Sequence, residues 1–174
     1  QAVAHRARAF GLEIAYHNRK RLPEAVERMF SARWVDSLDG LMSEADILTL
    51  HCPAGPDTHH MIDAAAFAKM KPDSLLINVA RGAVVDESAL VNALQAKAIG
   101  AVGLDVTEVE PLPESSPLWE MSNVLITPHV GAQSARRVDD STALFCENLR
   151  QYLAGKPLKN VVDKQLGFPR PTID

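Results

Sequence analysis

Cysteine is scarce in this sequence of 174 residues: Cys52 and Cys146 are the only two, far apart and in no metal-like spacing. A disulfide framework and a zinc site are therefore not expected, no metal site is assigned, and both thiols are read as reduced. Positive charge is short as well, with 18 Lys and Arg against 22 Asp and Glu, a formal net charge of -4 and a pI near 5.9. Nucleic acid and anionic membranes usually demand clustered positive charge, so neither is expected as a partner. A small anionic ligand stays compatible, because local charge can oppose the net. No apolar run approaches the roughly 20 residues of a transmembrane helix, and nothing resembles a secretory signal peptide, so a soluble, cytoplasmic protein is expected. Internal repeats and low-complexity segments are lacking too. With 47% hydrophobic residues, the chain has enough apolar material for one well-filled core and one domain.

What is present is an alternation of helical and strand patterns, the mark of a parallel sheet flanked by helices, and the fold class is α/β. Residues 1 to 10 are rich in helix formers and stop at Gly11, and residues 12 to 16 read as a strand. Residues 23 to 30 suit a short helix opened by Pro23, and residues 37 to 44 another. Residues 45 to 51 form a strand that runs into Pro53, and Asp63 is placed to cap a helix over residues 63 to 70. Residues 74 to 80 are a near-continuous apolar run, expected to be a strand buried on both faces. Asp86 is placed to cap a helix through Gln95, and residues 99 to 106 and 124 to 127 supply two more strands. Gly100 and Gly103 weaken a strand on propensity, which points to close approach by another backbone or a ligand. Residues 107 to 117, with Pro111, Pro113 and Pro117, form a loop. A long helix over residues 134 to 153 ends at Gly155, and the tail to Asp174 shows no periodicity.

A nucleotide-binding α/β unit begins with a strand and a glycine turn that lead into its first helix, whereas this chain starts inside a helix. That strand sits mid-sheet in the usual order, so its loss opens the core. Gln1 is thus expected not to be a natural start, with more polypeptide or a partner supplying the strand.

Open parallel sheets bind ligands beyond the carboxyl ends of their strands, and three such ends carry chemistry here. Arg81 follows the apolar run and precedes Gly82, Glu110 lies in the proline-bounded loop, and His129 follows Pro128 with Gly131 just beyond. Each has an ordinary structural use alone, but their gathering at one sheet edge favours a site. Histidine exchanges protons near neutral pH, a neighbouring carboxylate stabilises its imidazolium, and arginine grips a carboxylate with two parallel hydrogen bonds. Such a site lacks an electron source, and the fold suggests a nicotinamide cofactor.

The segments Leu50-His-Cys-Pro53, Leu76-Ile-Asn-Val-Ala-Arg-Gly82, Gly103-Leu-Asp-Val106 with Glu110-Pro111, and Thr127-Pro-His-Val-Gly131 are jointly specific, and they run over almost the whole chain. In order and spacing they resemble the signatures of D-isomer-specific 2-hydroxyacid dehydrogenases. The resemblance implies a Rossmann-type doubly wound parallel sheet lacking its first strand and glycine-rich turn, with Gln1 following the place of the third glycine. It implies that His129 is the proton donor in reduction of a 2-oxo acid, that Glu110 supports its protonation, and that Arg81 binds the substrate. It further implies that Asp105 contacts the nicotinamide carboxamide, and that Cys52, Pro53, Val79, Ala80 and Gly131 line the cofactor. Residues 1 to 155 would form the nucleotide-binding domain, and residues 156 to 174 would return toward an absent substrate domain without which the chain is inactive. Family members are commonly homodimers. Glyoxylate and hydroxypyruvate reductases are the members most resembled, while dinucleotide-sensing corepressors share the scaffold and its catalytic triad.

The second strand of such a domain usually ends in an acid that binds the adenosine ribose. Asn18 stands there instead, with Arg19, Lys20 and Arg21 alongside. The expectation is that NADP is preferred over NAD, its 2'-phosphate held between Asn18 and Arg19 with Lys20 beside them.

Overall fold

The computed structural model describes residues 1–165 and 168–169. Helix formation follows local chemistry closely. Helix α1 (Ala2–Ala9) stops before Gly11, which takes φ 78 where a side chain would be strained. Helix α2 (Glu24–Phe30) opens after Pro23 and carries Glu24 and Glu27 in its first turn, where carboxylates oppose the helix dipole. Helices α3 (Leu38–Glu44), α4 (Ala64–Phe67) and α5 (Glu87–Gln95) are each N-capped by a side-chain oxygen: Ser37 accepts from Gly40, Asp63 from Ala66 and Asp86 from Ala89. Helix α6 (Arg137–Leu153) has no side-chain cap, and it begins three residues later than the sequence pattern suggested.

The strands are β1 (Ile14–Tyr16), β2 (Ala32–Trp34), β3 (Ile47–Leu50), β4 (Leu75–Asn78), β5 (Ala101–Leu104), β6 (Val124–Ile126), β7 (Val162–Asp163) and β8 (Phe168–Pro169). Strands β3-β4-β5-β6 form one parallel sheet and β1-β2 a second, while β7 and β8 pair antiparallel. In doubly wound order a further strand belongs between β1 and β3, and this is where the parallel array divides.

One face of the larger sheet is closed. Leu48, Leu50, Leu76, Val102 and Leu104 pack with Met42 of α3, Phe67 of α4 and Leu90 and Leu94 of α5. The opposite face carries Ile47, Leu75 and Leu125, which stay 44%, 36% and 69% exposed. Burial of β4 on both faces is therefore not observed: it alternates, because the covering helices of the core lie on one side. Gly100 meets the expectation of close approach, since a Cβ there would lie 2.9 Å from the carbonyl oxygen of Asp73. Gly103 faces a side chain instead, Ile77, at 3.0 Å.

The α4 helix spans only half of the expected segment, and a 3-10 turn, Pro117–Glu120, closes the proline-rich loop. Beyond α6, Gly155 at φ 65 reverses the chain. Asn148 then clasps the tail, accepting from the Lys159 amide at 2.8 Å and donating to its carbonyl at 3.1 Å. The tail thus acquires local order that its composition did not announce. Residues 166–167 and 170–174 lie outside the described residues.

Candidate active site

Arg81, Glu110 and His129 all follow carboxyl ends of the parallel strands β4, β5 and β6. Glu110 and His129 meet directly, with 2.7 Å between Oε2 and Nδ1. The other Glu110 oxygen accepts from the Thr107 amide at 3.2 Å, so the carboxylate is held at both ends. The His129 hydrogen bond foremost, with the Thr107 amide and the charges of His129 and Arg81, outweighs burial and holds the Glu110 carboxyl below its ordinary range. Arg81 thus contributes to the same electrostatic field, although its guanidinium donates to its own neighbour, the Ala80 carbonyl, at 2.6 Å.

The backbone beneath these groups is interlocked. Asn78, 1% exposed, accepts from the Ala80 amide at 3.0 Å and donates to the Arg81 carbonyl at 3.1 Å, shaping the turn that presents the guanidinium. A Cβ on Gly82 would stand 1.8 Å from the Thr107 carbonyl oxygen, so only glycine lets the Arg81 turn press on the Glu110 loop. Asp105 fastens the third segment. Its carboxylate accepts from the Thr127 hydroxyl at 2.6 Å and from the amides of Val130 and Gly131 at 2.9 and 2.8 Å. Those bonds, the Thr127 one foremost, outweigh burial and keep its carboxyl low. They also support His129 in a left-handed conformation, φ 52, that non-glycine residues seldom adopt.

Cys52 and Pro53 follow β3, and Val79 and Ala80 follow β4, on the same rim as the trio. Cys52 is half-buried and burial pushes its thiol up, which leaves it a poor nucleophile. Asn18, Arg19 and Lys20 lie apart from this group, exposed on the turn after β1. Arg19 approaches Asp57 at 3.8 Å with both side chains largely exposed, a weak tie. Arg21 is not a free cation of that turn: it forms two parallel bonds to Glu27, at 2.8 and 2.7 Å. Among the described residues, no group of His, Cys, Asp and Glu is arranged to hold a metal, and no helix is long and apolar enough to cross a membrane.

Sequence reading missed a second His–Glu pair on this rim, His60 with Glu108 at 2.7 Å. The partners are 48 positions apart, so no local pattern signals them.

Residues 1–131 match the NAD binding domain of the D-isomer specific 2-hydroxyacid dehydrogenases. The glyoxylate/hydroxypyruvate reductase B of Citrobacter koseri is 46% identical over 166 residues, 95% of this chain and 51% of the relative. Among solved structures, the apo form of D-mandelate dehydrogenase from Rhodotorula graminis superposes with a TM-score of 0.85 at 35% identity, covering 93% of this chain and 47% of that one. A D-isomer specific 2-hydroxyacid dehydrogenase from Xanthobacter autotrophicus, solved with NADPH and MES, gives 0.77 at 35% identity over 91% and 64%. The chain spans about half the length of the curated relatives it matches.

Proposed function

The chain belongs to the D-isomer specific 2-hydroxyacid dehydrogenases, and from that premise we propose that its protein reduces a small 2-oxo acid, glyoxylate or hydroxypyruvate, with NADPH. The observation that carries the reading is the 2.7 Å contact of His129 Nδ1 with Glu110, at the strand-end rim that also carries Arg81. With Nδ1 engaged, Nε2 is the nitrogen left to face a substrate carbonyl. The imidazolium gives its Nε2 proton to the carbonyl oxygen, and Glu110 holds the ring in place and stabilises its charged form. Arg81 turns from the Ala80 carbonyl to the substrate carboxylate, gripping it in parallel hydrogen bonds that orient C2. A nicotinamide held along the rim by Cys52, Pro53, Val79, Ala80, Asp105 and Gly131 would supply the hydride for C2.

The donor set fits a phosphorylated dinucleotide. An exposed Asn18-Arg19-Lys20 stands at the end of β1 without the acid that would repel a 2'-phosphate, and the tie from Arg19 to Asp57 is loose enough to exchange for one. Cys52, Pro53, Val79, Ala80 and Gly131 are assigned to the cofactor's path along the rim. Asp105 is assigned the carboxamide contact in addition to its hold on the His129 turn. In this reading residues 1 to 155 are the nucleotide-binding domain and residues 156 to 174 lead toward a substrate domain, in a cytoplasmic homodimer.

The test is steady-state kinetics of the full-length protein with glyoxylate and hydroxypyruvate, each with NADPH and NADH. NADPH is expected to be favoured, and Arg19→Ser to cut that preference by about tenfold, the worth of one charged contact to phosphate. At least tenfold higher kcat/KM with NADH overturns the cofactor assignment. Tight NADPH binding with no turnover of either acid overturns the reductase in favour of a dinucleotide-sensing role.

A further inference from the structure

We propose that His60 is a positioning residue: through Glu108 it holds the loop that aims Glu110 at His129. The inference rests on the reductase reading above for its catalytic consequence, though not for its geometry.

Three segments converge behind the catalytic rim. His60 Nε2 lies 2.7 Å from Glu108 Oε1, with each side chain about one third exposed. The second Glu108 oxygen accepts from the Glu87 amide at 3.3 Å, and the Glu108 amide donates to the Glu87 carboxylate at 3.1 Å. Glu87 opens α5, directly after the turn that carries Arg81. The His60 amide in turn donates to the Ala83 carbonyl at 2.8 Å, and Ile62 and Val85 form a parallel bridge. His60 is therefore tied by its backbone to the Arg81 turn and by its ring to the Glu110 loop. Its ring also stacks on His59 at a centroid distance of 4.0 Å, which restricts its rotation.

The distance from Glu108 to Glu110 is two residues, and the span is stiff. The Thr107 amide donates to Glu110 and the Thr107 hydroxyl to the Val109 carbonyl, so a displacement at Glu108 is passed on to the carboxylate at 110. His60 holds a left-handed φ of 48 while its amide bonds Ala83 and its ring meets Glu108. A rarely populated conformation persists only where its surroundings over-determine it, and here those surroundings include the loop two positions from Glu110.

The test compares His60→Asn with His60→Gln in the full-length protein. Asparagine tolerates the left-handed backbone but is one bond too short to reach Glu108, whereas the glutamine amide reaches it with a donor. His60→Asn is expected to lower kcat about tenfold with both KM values within about twofold, as for a misplaced catalytic group, and His60→Gln to recover most of the loss. Glu108→Gln combined with His60→Asn is expected to cost no more than the larger single effect. Unchanged kcat in His60→Asn overturns the proposal, as does a loss that appears in KM and is not recovered by glutamine. Amide exchange at Thr107, which reports its bond to Glu110, decides the positioning without turnover. It should quicken in His60→Asn and not in His60→Gln, and equal protection in all three proteins overturns the proposal even if no 2-oxo acid proves to be a substrate.

Discussion

The strand-end rim proposed for catalysis and the β1-β2 end proposed for the nucleotide are built in opposite ways. At the rim, backbone packs against backbone and against a fixed carboxylate. Gly82 presses on Thr107, Gly131 brings its amide to the Asp105 carboxylate, and the strands beneath bury Leu48, Leu76 and Leu104 to 4% exposure or less. At the nucleotide end, β1 and β2 have no buried residue, and the buried side chain nearest them is charged, Glu27. That end is held by polar ties. The Tyr16 hydroxyl donates to Glu27 at 2.6 Å and accepts from the Leu22 amide at 2.9 Å, Arg21 binds Glu27 twice, and the Arg21 guanidinium lies 5.6 Å from the Trp34 ring centre. Trp34 Nε1 is buried there without a hydrogen-bond partner among the described residues. Proton and hydride transfer depend on direction and tolerate little displacement, whereas attraction of a phosphate by exposed cations falls off gently over several ångströms. Under the proposed function the rim needs interlocking backbone, and the β1-β2 end needs only to hold its cations outward.

If this contrast is right, the largest single effect comes from a methyl group. In Gly82→Ala the new Cβ meets a main-chain carbonyl, which no rotamer change relieves. The Arg81 turn and the Glu110 loop must part, so kcat/KM is expected to fall by about a hundredfold or more, with roughly 1–3 kcal/mol lost from stability. Near-wild-type activity in this variant, read by steady-state kinetics, would break the comparison outright. Asp105→Asn comes next. One carboxamide oxygen cannot serve all three donors from the His129 turn, and the new NH2 group faces donors instead of acceptors. About 2 kcal/mol of stability and about tenfold in kcat should go together, since the same turn carries stability and the catalytic ring. Urea unfolding and kinetics on one preparation measure both.

Legibility in the sequence follows the same division. Ser37, Asp63 and Asp86 announce their helices because a cap is local, and Arg81, Glu110 and His129 stand out because strand ends are local too. Strand β2 leaves no local signal, since three residues with Arg33 exposed between Ala32 and Trp34 present no apolar run. The open face of β4 looks closed in the sequence, because Leu75 and Ile77 are as apolar as Leu76, and only the packing of helices separates the faces. Arg21 stands with its cationic neighbours in the sequence, although its partner Glu27 lies six positions on, a spacing that belongs to a turn running into a helix and matches no periodic pattern. His60 and Glu108 were invisible for the same reason at greater distance. Ties made by the fold leave no mark in local sequence.

The smallest effect is expected from the nucleotide end, and its pH dependence identifies the tie. The bonds from Arg21, and after them the one from Tyr16, lower the Glu27 carboxyl from its ordinary 4.5 to about 2. A carboxyl depressed on folding favours the folded state when ionised. Its contribution is complete above pH 4.5 and is lost as pH falls through 4.5 toward 2. In Glu27→Gln the charge is gone at every pH, while Tyr16 keeps an acceptor. Wild type should therefore melt above the variant at pH 6, by a gap that narrows below pH 4.5 and closes near pH 2. Other carboxylates titrate in both proteins, so the difference in Tm isolates this one. At neutral pH the variant should keep its kcat with saturating NADPH and show a raised KM for it, because loosening this end disturbs the Arg19 turn and leaves the rim alone. A kcat loss as large as that of Asp105→Asn would mean that the two regions are coupled, and the contrast between them would have to be given up. Parallel Tm curves for the two proteins would show instead that Arg21 and Tyr16 do little to hold Glu27 ionised, and the β1-β2 end would need another account of its stability.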